Sequence, residues 1–491
     1  MAAAQPKLSV LFVTSEAAPL VKTGGLADVS GSLPGALMYQ GLDIRVLMPG
    51  YPAVMEGVKA KGRLASFPAI GELPASQLLA GKLPGGVPLL IVDCPQLYNR
   101  PGGPYQDTSG KDWPDNALRF GLLSYLAAML SSVNSPISWK PRVLHCNDWQ
   151  AGLAPAYLHF MPGRKAKSVM TVHNLAYQGI FPPVTLSRLG LPPSSFSPDG
   201  VEFYGNLSFL KAGLYYADRI TTVSQNYARE ITDEPMGMGM QGLLAHRAPV
   251  LTGILNGIDT DAYDPGDDRY LPVRFSAVDL SGRWECRREL QRRMGLREDD
   301  TPCIVSIVSR LAPGKGLDLL EPAIERAMRE MHIQFVLVGS GDTHYEWWVG
   351  DLQRRYPGRV GNWVGYREDL AHLVYAGSDL YMMPSLFEPC GLSQMYAMRY
   401  GTLPVVRRTG GLADTVWNYV ESDGGGDGFL FDDYRVDSLY FTLGWAVSTF
   451  FDRHSHFETM RRRVMSRDFS WDASVPRFED TYRHALRKVR G

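Results

Sequence analysis

At 491 residues the chain exceeds what one hydrophobic core usually serves, so two domains of roughly 200 to 250 residues each are expected. A hydrophobic content of 45% beside 21% charged residues excludes a disordered chain and describes a folded globular protein. The net charge of -1, from 50 Lys and Arg against 51 Asp and Glu, excludes the basic field that would recruit nucleic acid or an anionic membrane, so an anionic ligand must be met locally.

The amino terminus, Met-Ala-Ala-Ala-Gln-Pro-Lys, runs straight into the strand-like segment 8–15 and leaves no room for a signal or transit peptide. Short apolar runs rich in β-branched residues then alternate with helical patterns, at 44–48, 89–92, 142–145, 168–173 and 219–223. That rhythm is the signature of βαβ units and a mainly parallel sheet. Between them, the apolar stretch 121–129 is far short of the roughly 20 residues that span a bilayer, and it reads as a buried helix. A second series starts at 250–255 and continues at 303–308, 334–338, 359–364, 380–383 and 403–406. The expected division is therefore an amino-terminal domain at 1–247, a second at 248–471, and a terminal segment at 472–491, with the boundary beside Pro249. Two doubly wound α/β domains of this kind would face one another across a cleft, with ligands at the carboxyl ends of strands. Five cysteines without a Cys-x-x-Cys pair argue against a disulfide framework and a zinc site, and fit a reducing, cytoplasmic setting.

The hexapeptide Thr-Gly-Gly-Leu-Ala-Asp occurs twice, at 23–28 and 409–414, each time between a strand and a helix. Paired glycines at a helix start can present amide N–H groups to an anion, helped by the helix dipole and, in the first copy, by Lys22. The plainer alternative is a tight strand-to-helix turn. Other chemistry-bearing residues also follow strands: Asp148, His173, Arg310 with Lys315 five residues on, and Glu388. Singly, each has a structural reading: a hydrogen-bonded histidine, a solvated Arg and Lys, a helix-capping glutamate. Their shared placement at strand exits on two domains makes them site candidates.

Seven segments in order carry a resemblance to the bacterial glycogen synthase and plant starch synthase family. They are Lys-Thr-Gly-Gly-Leu-Ala-Asp-Val at 22–29, Asn-Asp-Trp-Gln-Ala-Gly at 147–152, Thr-Val-His-Asn-Leu-Ala-Tyr-Gln-Gly at 171–179 and Asn-Gly-Ile-Asp at 256–259. Ser-Arg-Leu-x-x-x-Lys-Gly at 309–316, Glu-Pro-Cys-Gly-Leu at 388–392 and the second hexapeptide complete the set. The resemblance implies the GT-B arrangement of two Rossmann-like domains, with a final helix at 472–491 crossing back to the first. It implies retaining transfer of glucose from ADP-glucose to the non-reducing end of an α-1,4-glucan, with no cofactor, no metal, no nucleic acid and no membrane. The absence of an amino-terminal extension favours the bacterial enzyme over the plastid one.

By the same resemblance, His173, Arg310, Lys315 and Glu388 are the catalytic residues. Arg310 and Lys315 suit a diphosphate leaving group. Glu388 orients the donor glucose. Lys22, Gly24, Gly25 and Asp28 serve the donor-facing loop, Asp148 binds sugar hydroxyls, and Asn256 contacts sugar or phosphate. Tyr366 is either an adenine-stacking or a core tyrosine, Tyr105 and Trp149 line the acceptor side, and Cys390, Gly391 and Leu392 complete the substrate-binding set. Cys390 has no activating base that the sequence can pair with it, so it reads as a small packing residue. Asp259-Thr-Asp261 matches a metal-binding pattern of another glycosyltransferase fold but follows a turn near the domain boundary, and no metal is assigned to it. A Glu-x7-Glu carboxylate pair is absent, because the eighth residue after Glu388 is Tyr396; the resemblance implies a front-face displacement. Gly314 stands where the family often has Gln, and Tyr263 lies where Trp is common nearby; neither difference removes a charge. Two other classes are less well served. A non-catalytic glucan-binding scaffold would have no need of the five charged and histidine residues together, and a nicotinamide-dependent dehydrogenase would require a third glycine in Gly339-Ser-Gly-Asp342.

Overall fold

A computed structural model describes residues 7–59 and 62–487. The chain forms two compact units, Met1–Gly257 with Trp471–Gly491, and Ile258–Ser470. In the first, the strands are β1 (Ser9–Val13), β2 (Asp43–Pro49), β3 (Arg63–Phe67), β4 (Ser76–Lys82), β5 (Pro88–Asp93), β6 (Val143–Asn147) and β7 (Lys167–Val172). They are followed by β8 (Ile180–Phe181), β9 (Glu202–Phe203), β10 (Asn206–Ser208), β11 (Arg219–Thr222) and β12 (Leu251–Gly253). Nine of these make one sheet in the order β12-β11-β7-β6-β1-β2-β5-β4-β3, and β8-β10-β9 form a small second sheet. Strand order reverses between β1 and β6, which pair in parallel, Val10 opposite Val143. In the nine-stranded sheet β4 alone runs against the other strands, and its antiparallel pairings with β5 and β3 extend the edge beyond β5.

The second unit holds β13 (Cys303–Val308), β14 (Ile333–Gly339), β15 (Val360–Val364), β16 (Leu380–Met383), β17 (Leu403–Arg407) and β18 (Phe429–Phe431). They form one parallel sheet in the order β15-β14-β13-β16-β17-β18, reversing between β13 and β16. Every residue of β14 and β16 is buried, as expected of parallel strands covered by helices on both faces and written as continuous apolar runs. The helix Leu317–Glu330 shows the complementary pattern, burying Leu317, Leu320, Ile324, Ala327 and Met328 on one face.

Two expectations need correction. The run 250–255 does not open the second sheet: β12 pairs in parallel with β11, Ile220 opposite Leu251, and is the outermost strand of the first. The division of the chain consequently falls after Gly257 rather than at residue 247. Pro249 lies in the short turn Ala248–Val250 that leads into β12, so it interrupts a helix without ending a unit. The small strands β8 to β10 did not register in the sequence because two- and three-residue strands carry no period to read, and β3 and β4 did not because neither contains a β-branched residue.

The terminal segment does return to the first unit. Trp471 donates its indole N–H to Ser32 Oγ at 2.8 Å, and Ser474 Oγ donates to the Leu255 carbonyl at 2.6 Å. The helix Val475–Leu486 packs on β6 and β7, where Tyr482 Oη lies 2.8 Å from His145 Nδ1 and the Phe478 ring lies 6.0 Å from the imidazole. Burial holds His145 down to about 3, so the ring is neutral at pH 7. Residues 488–491 of the expected terminal span lie outside the described residues.

In the second unit a buried charge cluster ties helices to the sheet. Asp379, 5% exposed, bonds Arg287 at 2.7 Å, Arg461 at 3.0 Å and the amide of Ile304 at 2.9 Å. Burial alone would raise its carboxyl, but Arg287, Arg461 and that amide hold it below the ordinary aspartate value. Asp379→Ala leaves the buried Arg287 guanidinium without its counter-charge and Arg461 with Glu458 alone, and is expected to destabilise by about 3–5 kcal/mol. Denaturant titration of this variant against the parent checks the figure through the fall in midpoint.

Candidate active site

In each sheet the loops expected to bind ligand leave the strands that flank the reversal, the position where α/β sheets open a crevice. In the second unit these are the loops after β13 and β16. The first carries Arg310, Lys315 and Gly316, and it leads into the helix Leu317–Glu330. The second carries Ser385, Glu388 and Cys390, and it leads into the helix Ser393–Arg399. The two loops interlock. Leu386 N–H donates to the Gly314 carbonyl at 2.9 Å, and a side chain at Gly316, which sits at φ 71°, would collide with the Pro384 carbonyl.

Lys315 Nζ donates to Glu388 Oε2 at 2.7 Å, and Ser385 Oγ donates to the same oxygen at 3.0 Å. The glutamate is nearly buried and the lysine about a quarter exposed. This is a directional, charge-assisted contact rather than a loose surface pair. Arg310 is exposed, and its guanidinium has no hydrogen-bond or ion-pair partner among the described residues. Lys315 and Glu388 cancel in charge, so the loop pair carries one net positive charge, the Arg310 guanidinium. Cys390 is buried, and its carbonyl, like that of Gly391, accepts from Gln394 Nε2. Leu392 precedes the first turn of the short helix that follows. Tyr366, beyond β15, is 63% exposed, which sets aside its reading as a core tyrosine.

The second hexapeptide belongs to this assembly as a support. Gly410 stands at φ 45°, and any side chain there would run into the Glu388 carbonyl. Gly411 donates its amide to that carbonyl at 3.0 Å and lies hard against the Cys390 backbone. Both glycines have an internal reason: they let one chain segment press against the Glu388 loop.

The first copy differs. Gly24 caps the helix Gly25–Tyr39 with φ -163°, an extended conformation open to other residues, and a side chain there would meet nothing within 4 Å. Neither backbone geometry nor packing inside the protein asks for glycine at 24. Lys22 pairs with Asp28 at 2.7 Å across the loop, with both groups partly exposed.

The other residues expected in this unit gather around the ends of β1, β6 and β7. His173 Nε2 lies 2.9 Å from Asn147 Oδ1, and Asn147 Nδ2 donates to the Val13 carbonyl, which fixes the amide and places the imidazole proton on Nε2. Burial lowers His173 to about 3, so it is neutral at pH 7 with its Nδ1 lone pair available. Asp148 Oδ1 accepts the His173 amide at 2.7 Å. Its backbone is held at φ 53° and ψ -175°, a sparsely populated region for a side-chain-bearing residue and a form of stored strain. Asn256, beyond β12, is 6% exposed, and its Oδ1 has no hydrogen-bond partner among the described residues. Trp149 packs edge-on against Phe120 with ring centroids 4.9 Å apart, and Tyr105 lies 6.5 Å from it. Asp259 Oδ1 accepts the amides of Asp261 and Ala262, so its carboxylate closes its own turn.

One residue of this cluster was not anticipated. Glu16, 3% exposed, accepts the Thr23 amide at 2.6 Å and the Tyr105 hydroxyl at 2.7 Å. It too follows a strand at the reversal, so the rule that singled out Asp148 applies to it equally. Tyr105, expected on the acceptor side, spends its hydroxyl on Glu16 and Ser15, and burial with the Glu16 charge drives its phenol well above the ordinary value.

Burial, with a smaller contribution from the Glu16 charge, pushes Asp148 up to about 7 against the opposing hydrogen bonds from the His173 and Asn174 amides. The folded state therefore binds a proton that the unfolded chain releases near the ordinary aspartate pKa of 3.8. Stability from this group is full below that value and is lost as pH rises toward about 7. Asp148→Asn keeps the accepting oxygen and is expected to remove the loss, gaining on the parent by up to about 4 kcal/mol between pH 4 and pH 8. Paired denaturation curves across that range read the difference, to which His145 and His173 contribute equally in both proteins.

Among known proteins, a family model described as the starch synthase catalytic domain matches residues 9–246, and one described as glycosyl transferases group 1 matches residues 289–447. The glycogen synthase of Nitrosospira multiformis is 48% identical over 99% of this chain and 99% of its own length. That of Aromatoleum aromaticum is also 48% identical, over 97% of each. The solved catalytic domain of starch synthase IV from Arabidopsis thaliana, bound to ADP and acarbose, matches with a TM-score of 0.86 at 30% identity, covering 98% of this chain and 99% of that one. Sucrose-phosphate synthase from Thermosynechococcus elongatus, at a TM-score of 0.58 and 16% identity, shares the fold alone.

Proposed function

The chain belongs to the glycogen synthase family, a group of GT-B glycosyltransferases, and we propose that it transfers glucose from ADP-glucose to the non-reducing end of an α-1,4-glucan with retention of configuration. The observation that carries the site assignment is the loop pair after β13 and β16, where an unpaired Arg310 stands beside the Lys315–Glu388 contact. A diphosphate leaving group gathers negative charge as the glycosidic bond to it breaks, and fixed cations aimed at that charge lower the barrier. Arg310 and Lys315 do this work. Arg310 offers a planar fork of donors, and the Lys315 ammonium can shift from carboxylate to phosphate over a short distance.

Glu388, held by Ser385 as well as by Lys315, orients the donor glucose and offsets the positive charge that develops at the anomeric carbon. Tyr366 offers an exposed ring face to the adenine. The short turn at Cys390, Gly391 and Leu392 serves the sugar and phosphate through its backbone, with the Cys390 thiol buried.

On the first unit, Lys22 and the amides of Gly24 and Gly25 approach the donor, and the glycine at 24 is explained by that approach, since nothing inside the protein requires it. Asp148 and neutral His173 hold sugar hydroxyls, while the orphaned Asn256 Oδ1 supplies a further acceptor. Asp28 balances Lys22 until the phosphate arrives. The leaving phosphate oxygen assists removal of the acceptor proton in a front-face displacement, and the reading needs no metal or cofactor. Five buried cysteines without a disulfide suit the cytoplasmic setting that belongs to this reading. Among the described residues no helix is long and apolar enough to cross a membrane.

Incorporation of labelled glucose into glycogen, from ADP-glucose and UDP-glucose side by side, tests the activity and the donor together. Strong incorporation from ADP-glucose is expected, and none from either donor would sink the assignment. Glu388→Gln keeps the shape but loses the charge, and should lower kcat by about 100-fold or more with an unchanged melting temperature. Arg310→Ala should lower kcat/KM for the donor by about 100- to 1000-fold. Near-parental turnover in either variant removes that residue from the mechanism.

A further inference from the structure

We propose that Glu16 is a positioning residue that clamps the loop at 22–25 in its donor-receiving shape and ties that shape to the loop at 101–113. The inference rests on the assignment of the 22–25 loop to the donor. The Glu16 carboxylate accepts the Thr23 amide at 2.6 Å, the Thr23 hydroxyl at 2.8 Å and 2.9 Å, and the Tyr105 hydroxyl at 2.7 Å. No Lys, Arg or His lies within ion-pair distance of it among the described residues, so three neutral donors alone stabilise a charge that is 3% exposed. Burying a carboxylate without a cation is unfavourable unless its hydrogen bonds are short and well directed. An interaction maintained at that disadvantage suits a task of geometry better than one of general stability.

Ahead of the helix that starts at Gly25, Ala27 N–H donates to the Gly24 carbonyl, Lys22 pairs with Asp28, and the Thr23 amide is held by Glu16. That amide belongs to the peptide plane joining Lys22 to Thr23. Fixing it sets the direction in which Lys22 leaves the chain on one side and the approach to Gly24 on the other. Tyr105 reaches the same carboxylate from a separate loop, where its carbonyl accepts from the Trp113 amide and from Asn116 Nδ2. A glucan that displaces Tyr105 therefore also disturbs the clamp on the donor loop. The clamp is a device by which acceptor-side contacts bear on the donor side without touching the donor.

The test uses the full-length protein and two readouts, hydrogen exchange by mass spectrometry without substrate, and steady-state kinetics with ADP-glucose and glycogen. Glu16→Gln should speed exchange in peptides spanning 20–27 by about tenfold, while the helix Asn116–Leu130 keeps its protection. It should lower kcat by about 10- to 100-fold and leave KM for glycogen within about twofold. Tyr105→Phe, which removes one donor and keeps the ring, should give a smaller change of the same kind in both. Unchanged exchange at 20–27 in Glu16→Gln overturns the clamp. So does a general loss of protection in Glu16→Gln, if Tyr105→Phe and Thr23→Val then match the parent in exchange and kcat. Exchange needs no substrate, so local loosening in a protein whose parent form shows no transfer from ADP-glucose would uphold the clamp and defeat the donor assignment.

Discussion

Parallel strands have to be rejoined by return connections, and in both sheets the strand order turns around at one place, between β1 and β6 in the first and between β13 and β16 in the second. At such a turn the connections leave in opposite directions and cannot cover the strand ends between them. The central residues proposed for the site stand at those gaps. Glu16, Asp148 and His173 come from one set of strand ends, and Arg310, Lys315 and Glu388 from the other. Within each set, groups far apart in sequence meet because adjacent strands deliver their loops side by side. Lys315 and Glu388 are 73 residues apart and in contact at 2.7 Å.

The repeated hexapeptide shows how little a motif says without its surroundings. In the second copy, glycine is demanded by the neighbours: Gly410 and Gly411 lie against the carbonyls of Glu388 and Cys390, and the positive φ at 410 suits no larger residue. In the first copy the neighbours demand nothing of Gly24. One sequence thus serves as a brace under the Glu388 loop in one unit and as an open edge in the other. The brace limits where the Glu388 backbone can go.

Much of this was legible in the chain. The buried strands of the second sheet are continuous apolar runs, and β16 coincides with the run read at 380–383. The charged residues at strand exits could be named in advance because the position of a ligand site in a parallel sheet follows from topology. What could not be read depends on contacts between distant segments. The run at 250–255 has the composition of any buried strand, and only its partner, β11, assigns it to the first sheet. Glu16 looks like a solvated residue beyond a strand until Thr23 and Tyr105 are found on its two oxygens. Likewise, neither the strained backbone of Asp148 nor the orphaned oxygen of Asn256 leaves a trace in residue order.

The terminal helix carries a consequence for the making of the protein. Unit Ile258–Ser470 is an insertion in the other unit, entered and left by adjacent crossings where Ile258 N–H bonds the Phe469 carbonyl at 2.8 Å. A ribosome releases the chain in order, and domains generally fold as units as they emerge. The inserted unit is complete once Ser470 is out, whereas the unit begun first still lacks Trp471 and the helix bearing Phe478 and Tyr482. The face of β6 and β7 that this helix covers, with His145 at its centre, stays uncovered until that helix has emerged. The domain that starts first is thus the last to close, and its exposed sheet face is what a nascent-chain chaperone would have to shelter.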